Sequence, residues 1–234
     1  MPKLNLQDIK IDGEDLGHIH LIRKYRDRDG SRRLIYGGRT HHPFMSFPKA
    51  TRKKITINGE SVVAVDYPAS QANVLYKYMT GRFLHPKDPY KVDGLHRDTV
   101  KHLMQMMLNN GSRKGASMAA KANLTSLKKS AAQAFDLDLQ KHGAVATMLR
   151  LVEEHNAPIA ECFYQGKAQG QYYAWLESNL VFEVAKYLTD QGVPALTVHD
   201  EFIVPESMES AVLIFNTLVS GMDIKISNAR FSTN

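Results

Sequence analysis

The clearest pattern of apolar and polar positions lies over residues 54–66. An alternating segment at 54–57 and an apolar segment at 61–65 flank Asn58-Gly59. Asn-Gly is the preferred dipeptide for a two-residue turn between strands, so this pattern predicts a β-hairpin. The second strand is apolar on both faces, which predicts a central and buried strand that ends at Asp66.

A second hairpin is predicted over residues 196–205. Apolar residues that favour β-strands flank a charged centre, His199-Asp200-Glu201, and a tight hairpin of this kind holds acidic groups at its tip. Many turns carry a solvated Asp, so an ordinary polar turn is the alternative to a binding site. Weaker alternation predicts strands over 18–25 and 33–36 and a last strand over 223–227.

Apolar residues at helical spacing occupy most of the chain between the predicted strands. The clearest stripe consists of Val100, Leu103, Met104, Met107 and Leu108, which would face a core. Strands at both ends with a large helical insertion between them predict an α+β fold with an antiparallel sheet. The predicted helices cover residues 70–78, 94–109, 171–190 and 207–219, with one or two more within 123–155.

Composition narrows the class of protein. The 234 residues are 43% hydrophobic and 23% charged, which is ordinary for a globular protein. The polar residues 1–17 are expected to be a loosely ordered lead-in without a signal peptide, and no apolar run reaches the length of a membrane span. The lone Cys162 excludes an internal disulfide and a cysteine-based zinc site, so we expect a cytoplasmic protein. The net charge of +6 suits a polyanionic partner without requiring one.

Asp66 and Asp200 both lie where predicted strands end. If those strands are neighbours in the sheet, the two carboxylates project at one edge. Like charges that close raise each other's pKa unless a cation neutralises them. A pair of magnesium ions does so and suits phosphoryl transfer. Two unrelated acids that cap turns are the alternative.

Four segments then resemble the motifs of family A DNA polymerases, in the family's order. Residues 65–71 (Val-Asp-Tyr-Pro-Ala-Ser-Gln) resemble the first motif, and residues 198–201 (Val-His-Asp-Glu) resemble the third. Between them, residues 97–101 (Arg-Asp-Thr-Val-Lys) are similar to the Arg-x3-Lys helix of the second motif. Residues 38–52 are similar to the segment before the first motif. The resemblance covers roughly residues 35–205.

The resemblance implies roles for these residues. Asp66 and Asp200 would bind Mg²⁺, with Mn²⁺ as a substitute, and the backbone carbonyl of Tyr67 would be a further ligand. Arg97 and Lys101 would hold the incoming triphosphate, with Lys101 protonating the leaving pyrophosphate. The predicted organisation is a single polymerase-like catalytic unit. Its palm-like antiparallel sheet region covers about 18–80 and 171–234, and its helical fingers-like insertion covers about 88–165.

Further candidates are polar or cationic side chains near these motifs. Tyr67, Gln71 and Asn109 are assigned to the nucleotide, and His199 and Glu201 are expected to shape the primer end. On the predicted helix, Arg97, Lys101, Gln105 and Asn109 form a row at i+4 spacing, for which a solvated helix face is the alternative. Capping or surface roles are expected for Glu177, Ser178 and Asn179. The cations assigned to nucleic acid are Arg39, Arg52, Lys53, Arg113 and Lys114, with a solvated loop as the alternative for the cluster at 49–54.

The predicted function is that of a template-directed nucleotidyltransferase with DNA polymerase activity, acting in DNA replication on a primer-template and nucleoside triphosphates. Gln71 stands where the family's DNA polymerases carry a Glu that disfavours ribose, so an RNA polymerase or primase of the same superfamily is an alternative. Glu201 stands where phage-type RNA polymerases usually carry Ser. The family places a thumb before the palm, and only about 35 residues precede the stretch covered by the resemblance. We therefore expect short products or dependence on accessory replication proteins. A His-Asp phosphohydrolase would also fit His199-Asp200, and an inactive nucleic-acid-binding module would fit the basic charge.

Overall fold

The computed structural model describes residues 6–20, 22–26, 34–82, 87–130 and 143–210, with only the backbone over 124–130. These residues form two compact units. Unit 1 comprises the described residues within Met1–Arg26, Gly37–Pro68 and Trp175–Asn234. Unit 2 comprises those within Asp27–Tyr36 and Ala69–Ala174. The prediction of a single catalytic unit stays a prediction.

Unit 1 is built on an antiparallel sheet, so the predicted α+β class is confirmed. Six strands lie in the order β2-β1-β5-β6-β8-β7, and β3 and β4 form a separate antiparallel pair. Strands far apart in sequence are neighbours in this order, because β6 pairs with β8. The strands are β1 (Ile9–Ile11), β2 (Glu14–Asp15), β3 (Ile22–Tyr25), β4 (Gly37–His41), β5 (Ile55–Ile57), β6 (Glu60–Asp66), β7 (Leu196–Val198) and β8 (Glu201–Pro205).

The predicted Asn-Gly hairpin is confirmed between β5 and β6. Ile57 pairs with Glu60, and both turn residues have positive φ, at 55° for Asn58 and 78° for Gly59, which a type I′ turn requires. The strand β6 is central, as predicted, but the prediction that it is buried is wrong. Its residues are half-buried or exposed, because β5 pairs only with the first two residues of β6 and leaves the rest to β8 alone.

Two sequence predictions in the first forty residues need correction. The predicted lead-in contains strands β1 and β2, since Ile9 and Ile11 alternate with Lys10 and β1 pairs with β5. The second strand of the next pair begins at Gly37 instead of ending there. Gly38 has φ of +78°, and a Cβ on it would lie 2.8 Å from the Tyr25 ring. Glycine therefore permits the close approach of β3 and β4.

One buried cluster of unit 1 lies on one face of the six-stranded sheet, while Phe202 and Val204 of β8 are buried on the other. Apolar residues from both ends of the chain meet in this cluster, with each fully buried large side chain contributing about 1.5–3 kcal/mol. They enclose Phe44, which has no exposed surface, and leave the charged ends of β6 and β8 at the rim. The buried cluster consists of Ile9, Ile19, Phe44, Ile55, Ile57, Leu196, Val198 and Ile203.

Helices make up most of unit 2, and those predicted over 70–78, 94–109 and 171–190 are confirmed with shifted ends. The predicted apolar stripe is buried. The helix that begins at Arg113 was not predicted, because Gly111 and Gly115 interrupt the apolar spacing. Most of the predicted helix at 207–219 and the predicted strand at 223–227 lie outside the described residues. The helices are α1 (Lys49–Arg52, in unit 1), α2 (Ser70–Thr80), α3 (Arg97–Asn109), α4 (Arg113–Ser130), α5 (Ala144–His155) and α6 (Lys167–Asp190, whose residues from Trp175 belong to unit 1).

Candidate active site

Asp66 and Glu201 lie opposite each other at the ends of two paired strands. Asp66 is the last residue of β6, Glu201 is the first residue of β8, and the two pair in register. Directly opposed residues of an antiparallel pair project from the same face of the sheet, with Cβ atoms about 4.5–5.5 Å apart. Asp66 is exposed, whereas Glu201 is buried. The condition set for Asp66 and Asp200, that their strands are neighbours in the sheet, is therefore met, because Asp200 directly precedes Glu201.

Asp200 lies beside this pair, in the two-residue turn between β7 and β8. Val198 pairs with Glu201, so His199 and Asp200 form the whole turn. His199 has φ of 59° and Asp200 is not among the residues with positive φ, which is the φ pattern of a type II′ turn. Glycine is the usual residue at the first position of that turn, so His199 holds an uncommon conformation directly beside the acid.

The carboxyl group of Asp200 has a raised pKa in this position. Burial, followed by the nearby charge of Glu177, raises its pKa from 3.8 to about 6. The charge of Asp66 raises this pKa further, while a hydrogen bond from the backbone of Asp200 and the charge of Arg39 lower it. The turn thus brings together like charges that the protein's own cations only partly offset.

Glu177 is a buried member of this acidic group, and the expectation of a capping or surface role for it is wrong. It lies on α6 at 7% exposure, and its Oε2 accepts a hydrogen bond of 2.8 Å from the guanidinium of Arg39. The sequence carries one signal for this. Glu177 interrupts a stripe in which Tyr173, Leu180 and Val184 are buried, and a charged residue in such a stripe needs a partner.

A second arginine fixes the strand that carries Arg39. Arg23 donates through Nε to the carbonyl of Gly38 at 2.8 Å and through its terminal nitrogen to Ser178 at 3.0 Å. It also donates to Asn179, so Ser178 and Asn179 have structural partners within unit 1. The β3–β4 pair is thereby held against α6, which places Arg39 beside Glu177.

Arg52 and Lys49 bind the carboxylate of Glu201. A terminal nitrogen of Arg52 lies 3.3 Å from Oε1, and Lys49 Nζ lies 3.4 Å from Oε2. Arg52 also donates to the carbonyl of Phe47 at 2.7 Å. The interpretation of Arg52 as part of a solvated loop is wrong, because it belongs to α1 and its side chain is 15% exposed. Lys53 next to it is exposed.

The predicted row of two cationic and two amide side chains lies on the exposed face of α3 in unit 2. Arg97, Lys101, Gln105 and Asn109 are all exposed, which confirms the predicted i+4 row. Arg97 forms an ion pair with Asp88 at 3.5 Å and stacks over the ring of Tyr90. Lys101 is therefore the residue of the row whose charge is most open to a ligand.

The remaining candidates in unit 2 differ in their surroundings. Arg113 forms an ion pair of 3.3 Å with Glu153 and donates to the carbonyl of Ala146, so it joins α4 to α5. Lys114 is exposed, and Gln71 is half-buried in the first turn of α2. The structure thus gives Arg113 a role in packing that the sequence did not indicate.

Tyr67 lies between Asp66 and α2. Its side chain is buried, and this burial raises the pKa of its hydroxyl group. Its backbone carbonyl was predicted as a metal ligand, and the residue was also assigned to the nucleotide. Several of the predicted residues thus lie together in unit 1. The candidates of unit 2 are described separately, within that unit. The group in unit 1 consists of Asp66, Tyr67, His199, Asp200 and Glu201, with Arg39, Arg52 and the unpredicted Glu177 around it.

Asp66 and Asp200 fit a magnesium ion by their chemistry. Mg²⁺ prefers carboxylate oxygens, keeps several of its waters and needs one or two protein carboxylates. Burial and, after it, the charges of Glu177 and Asp66 raise the pKa of Asp200, and a divalent cation would stabilise its ionised form. No group of three or more His, Cys, Asp or Glu side chains arranged for a metal occurs among the described residues.

The chain was also compared with known proteins. No family model, no curated protein and no solved structure matches it. In the part of the chain that the structure describes, none of the helices combines the length and apolar character needed to cross a membrane. Function is therefore inferred from the motifs and from the geometry of the candidate site.

Proposed function

We propose that the protein is a template-directed nucleotidyltransferase with DNA polymerase activity. The observation that carries the proposal is the meeting of Asp66 and Asp200 at the joined ends of β6 and the β7–β8 hairpin. Neither carboxylate forms an ion pair with any described residue. Acids left without a cation at a sheet edge are suited to holding a divalent metal.

Asp66 and Asp200 would hold the magnesium ions, and the backbone carbonyl of Tyr67 would be a further ligand. The bound metal supplies a Lewis acid for attack of a 3′-hydroxyl on the α-phosphate of a nucleoside triphosphate. Rigid strands fix the carboxylates, because Asp66 is paired in register and Asp200 lies in a two-residue turn. Fixed ligands favour catalysis, since little reorganisation is needed during the reaction.

The assignments of Arg97 and Lys101 to the triphosphate belong to the same proposal. Both are exposed cations on one face of α3, and a guanidinium and an ammonium group are suited to binding phosphate oxygens. Gln71 leaves the choice between deoxyribose and ribose open to experiment, so RNA polymerase or primase activity is an outcome that the assay must distinguish.

The phosphohydrolase alternative gains no support from the structure. His-Asp hydrolase dyads lie on helices with further His and Asp ligands, whereas His199 and Asp200 form a turn between strands. The described residues contain no group of three metal-binding side chains, which such a site would need. The primer-extension assay distinguishes an active polymerase from an inactive nucleic-acid-binding module, because such a module would not extend the primer.

Extension of a labelled primer on a DNA template tests the proposal. Wild-type protein with Mg²⁺ or Mn²⁺ is expected to extend the primer with dNTPs, and parallel reactions contain NTPs or omit the primer. Asp66→Asn and Asp200→Asn are expected to reduce extension by at least about 100-fold, because each removes a metal-binding charge. Asp93→Asn, a change of an exposed acid in unit 2, is the matched control and should be as active as wild type.

Three results would contradict the proposal. Extension by Asp200→Asn at the wild-type rate would remove the assigned role of that carboxylate. Hydrolysis of triphosphates without dependence on a primer would favour a phosphohydrolase. Binding of nucleic acid that is indifferent to Mg²⁺, with no synthesis from dNTPs or NTPs, would favour a binding module.

A further inference from the structure

The acids around the β7–β8 hairpin differ in their cation partners. Glu201 is bound by both Arg52 and Lys49. Asp66, directly opposite Glu201, and Asp200, directly before it, form no ion pair among the described residues. Three carboxylates thus lie side by side, and the protein neutralises only one of them.

The Glu201 carboxylate is held by residues of α1. It lines a small pocket together with Arg52, Ala64 and Ile203. Ala64 and Ile203 are paired two residues further along β6 and β8 than the Asp66–Glu201 pair. Asp66 is not part of the pocket lining. The Glu201 carboxylate therefore contacts α1, although its Cβ projects from the same face of the sheet as that of Asp66.

The ion pair between Arg52 and Glu201 is largely buried, so the loss of either partner has a large effect on the other. Their side chains are 15% and 11% exposed, and the Nε of Arg52 is buried without a hydrogen-bond partner among the described residues. Removing one partner of a buried ion pair leaves an uncompensated charge, which then seeks another counter-ion. Lys49 would stay beside Glu201, but its side chain is 64% exposed, and an exposed ion pair is weak. A divalent cation at Asp66 and Asp200 would then compete with Lys49 for the carboxylate.

We propose that Arg52 is a positioning residue that withholds Glu201 from the divalent-cation site, leaving Asp66 and Asp200 as the carboxylates that hold the ion. This inference rests on the proposed function, because it concerns the same metal site. It replaces the predicted contact of Arg52 with nucleic acid and the predicted role of Glu201 at the primer end. It also explains why a mostly buried arginine stands on a four-residue helix beside the sheet rim.

Binding of Mn²⁺ to the full chain, followed by electron paramagnetic resonance in the absence of nucleotide and nucleic acid, tests the inference. Arg52→Met keeps a side chain of similar volume and releases Glu201, so we expect Mn²⁺ to bind about tenfold more tightly than to wild type. Lys53→Met removes the same charge from the same pocket without releasing Glu201. It should tighten Mn²⁺ binding by no more than about twofold, because Lys53 is exposed.

The double variant Arg52→Met with Glu201→Gln keeps the net charge of the wild type and has no carboxylate to release. Its Mn²⁺ affinity is expected to lie within about twofold of wild type, and Arg52→Lys should restore most of the wild-type value. The inference is overturned if Arg52→Met and Lys53→Met tighten binding equally. It is also overturned if the double variant binds Mn²⁺ about tenfold more weakly than wild type, since Glu201 would then be a ligand.

Two controls separate this inference from the proposed function and from misfolding. If Asp66→Asn and Asp200→Asn bind Mn²⁺ as wild type does, the proposed metal site itself is wrong and the inference falls with it. If those variants lose binding but the double variant also loses it, only the role of Arg52 is wrong. Should Arg52→Met fail to fold by circular dichroism, Arg52→Gln, which keeps a polar group in the same place, replaces it in the comparison with Lys53→Met.

Discussion

The β7–β8 turn combines a strained residue, His199, with an acid, Asp200, whose ionisation opposes folding in the absence of a cation. His199 has φ of 59°, and the pKa of Asp200 is raised to about 6 through burial, Glu177 and Asp66. A strained turn next to an ionisable group persists only where the surrounding structure fixes it. Here the β6–β8 pairing and the Arg39–Glu177 ion pair do so.

The raised pKa of Asp200 predicts a pH-dependent difference in stability between wild type and Asp200→Asn. The folded protein binds the Asp200 proton more tightly than the unfolded chain, whose pKa is near 3.8. The contribution of this group to the free energy of unfolding is therefore favourable below about pH 4, falls as the pH rises to about 6, and stays low above it. Asparagine is uncharged at every pH and escapes this loss.

We expect the metal-free Asp200→Asn variant to melt at least about 2–4 °C above wild type near pH 8, the shift that 1 kcal/mol produces in a chain of this size. Near pH 4 the two melting temperatures should converge, and Mg²⁺ should raise only that of wild type. Differential scanning calorimetry measures the melting temperatures near pH 8, near pH 4 and in the presence of Mg²⁺. Asp93→Asn should follow wild type throughout, and a difference that persists unchanged at pH 4 would exclude ionisation of Asp200 as its cause.

Among the secondary-structure elements, the close contact between α3 and α6 in unit 2 depends on a glycine. Gly170 lies in the first turn of α6, and a Cβ on it would lie 2.5 Å from Asn109 Oδ1 and 2.7 Å from the carbonyl of Leu108. The amide of Gly166 donates to the carbonyl of Asn110 at 3.1 Å. The end of α3, with Asn109 at its last position, is thereby fixed against the start of α6.

Gly170→Ala is expected to lower the free energy of unfolding by about 1–3 kcal/mol, because the backbone carbonyl at 2.7 Å cannot move aside without shifting α3. Helix propensity alone predicts the opposite sign, a gain of about 1 kcal/mol. Ala168→Gly, two residues earlier in α6, is the matched control and should lose about 1 kcal/mol by propensity. Urea denaturation compares the three proteins, and a Gly170→Ala variant more stable than wild type would show that the contact is loose.

At the scale of the whole molecule, local pattern predicted those parts of the fold that depend on local chemistry. Asn58-Gly59 fixes its own hairpin, and the stripe from Val100 to Leu108 predicts a helix with one buried face, which the structure has. The β7–β8 hairpin follows from two apolar segments around a short polar turn. Each of these features involves residues within about a dozen positions of one another, where periodicity carries information.

The residues that local pattern did not reveal depend on contacts between distant parts of the chain. Arg39 and Glu177 are 138 residues apart in sequence, and Arg52 and Glu201 are 149 apart. Charged residues taken singly resemble a solvated surface, because neither partner of a pair has a local signal of burial. Asp66 and Asp200 were singled out because predicted strands end near them and because both lie in the motifs, whereas the pairing of β6 with β8 that brings them together needed the structure.

Lys101 tests the part of the proposed function that is assigned to residues of unit 2. Lys101 is exposed on α3, so Lys101→Ala should change stability by no more than about 0.5 kcal/mol. Primer extension at subsaturating dNTP is expected to fall by about 10–100-fold, because a charge-assisted contact with phosphate contributes about 1.5–3 kcal/mol. Mn²⁺ binding in the absence of nucleotide should stay within about twofold of wild type.

Lys91→Ala, which removes an exposed lysine elsewhere in unit 2, is the matched control and should extend primers at the wild-type rate. Lys101→Arg keeps the charge but, with a pKa above about 12, is a poorer proton donor to pyrophosphate. If Lys101 only attracts the triphosphate, the arginine variant should recover most of the lost extension. If it also donates the proton, the variant should recover the dNTP affinity but not the maximal rate. Extension by Lys101→Ala at the wild-type rate would mean that α3 presents only a solvated face, and that the triphosphate is bound elsewhere.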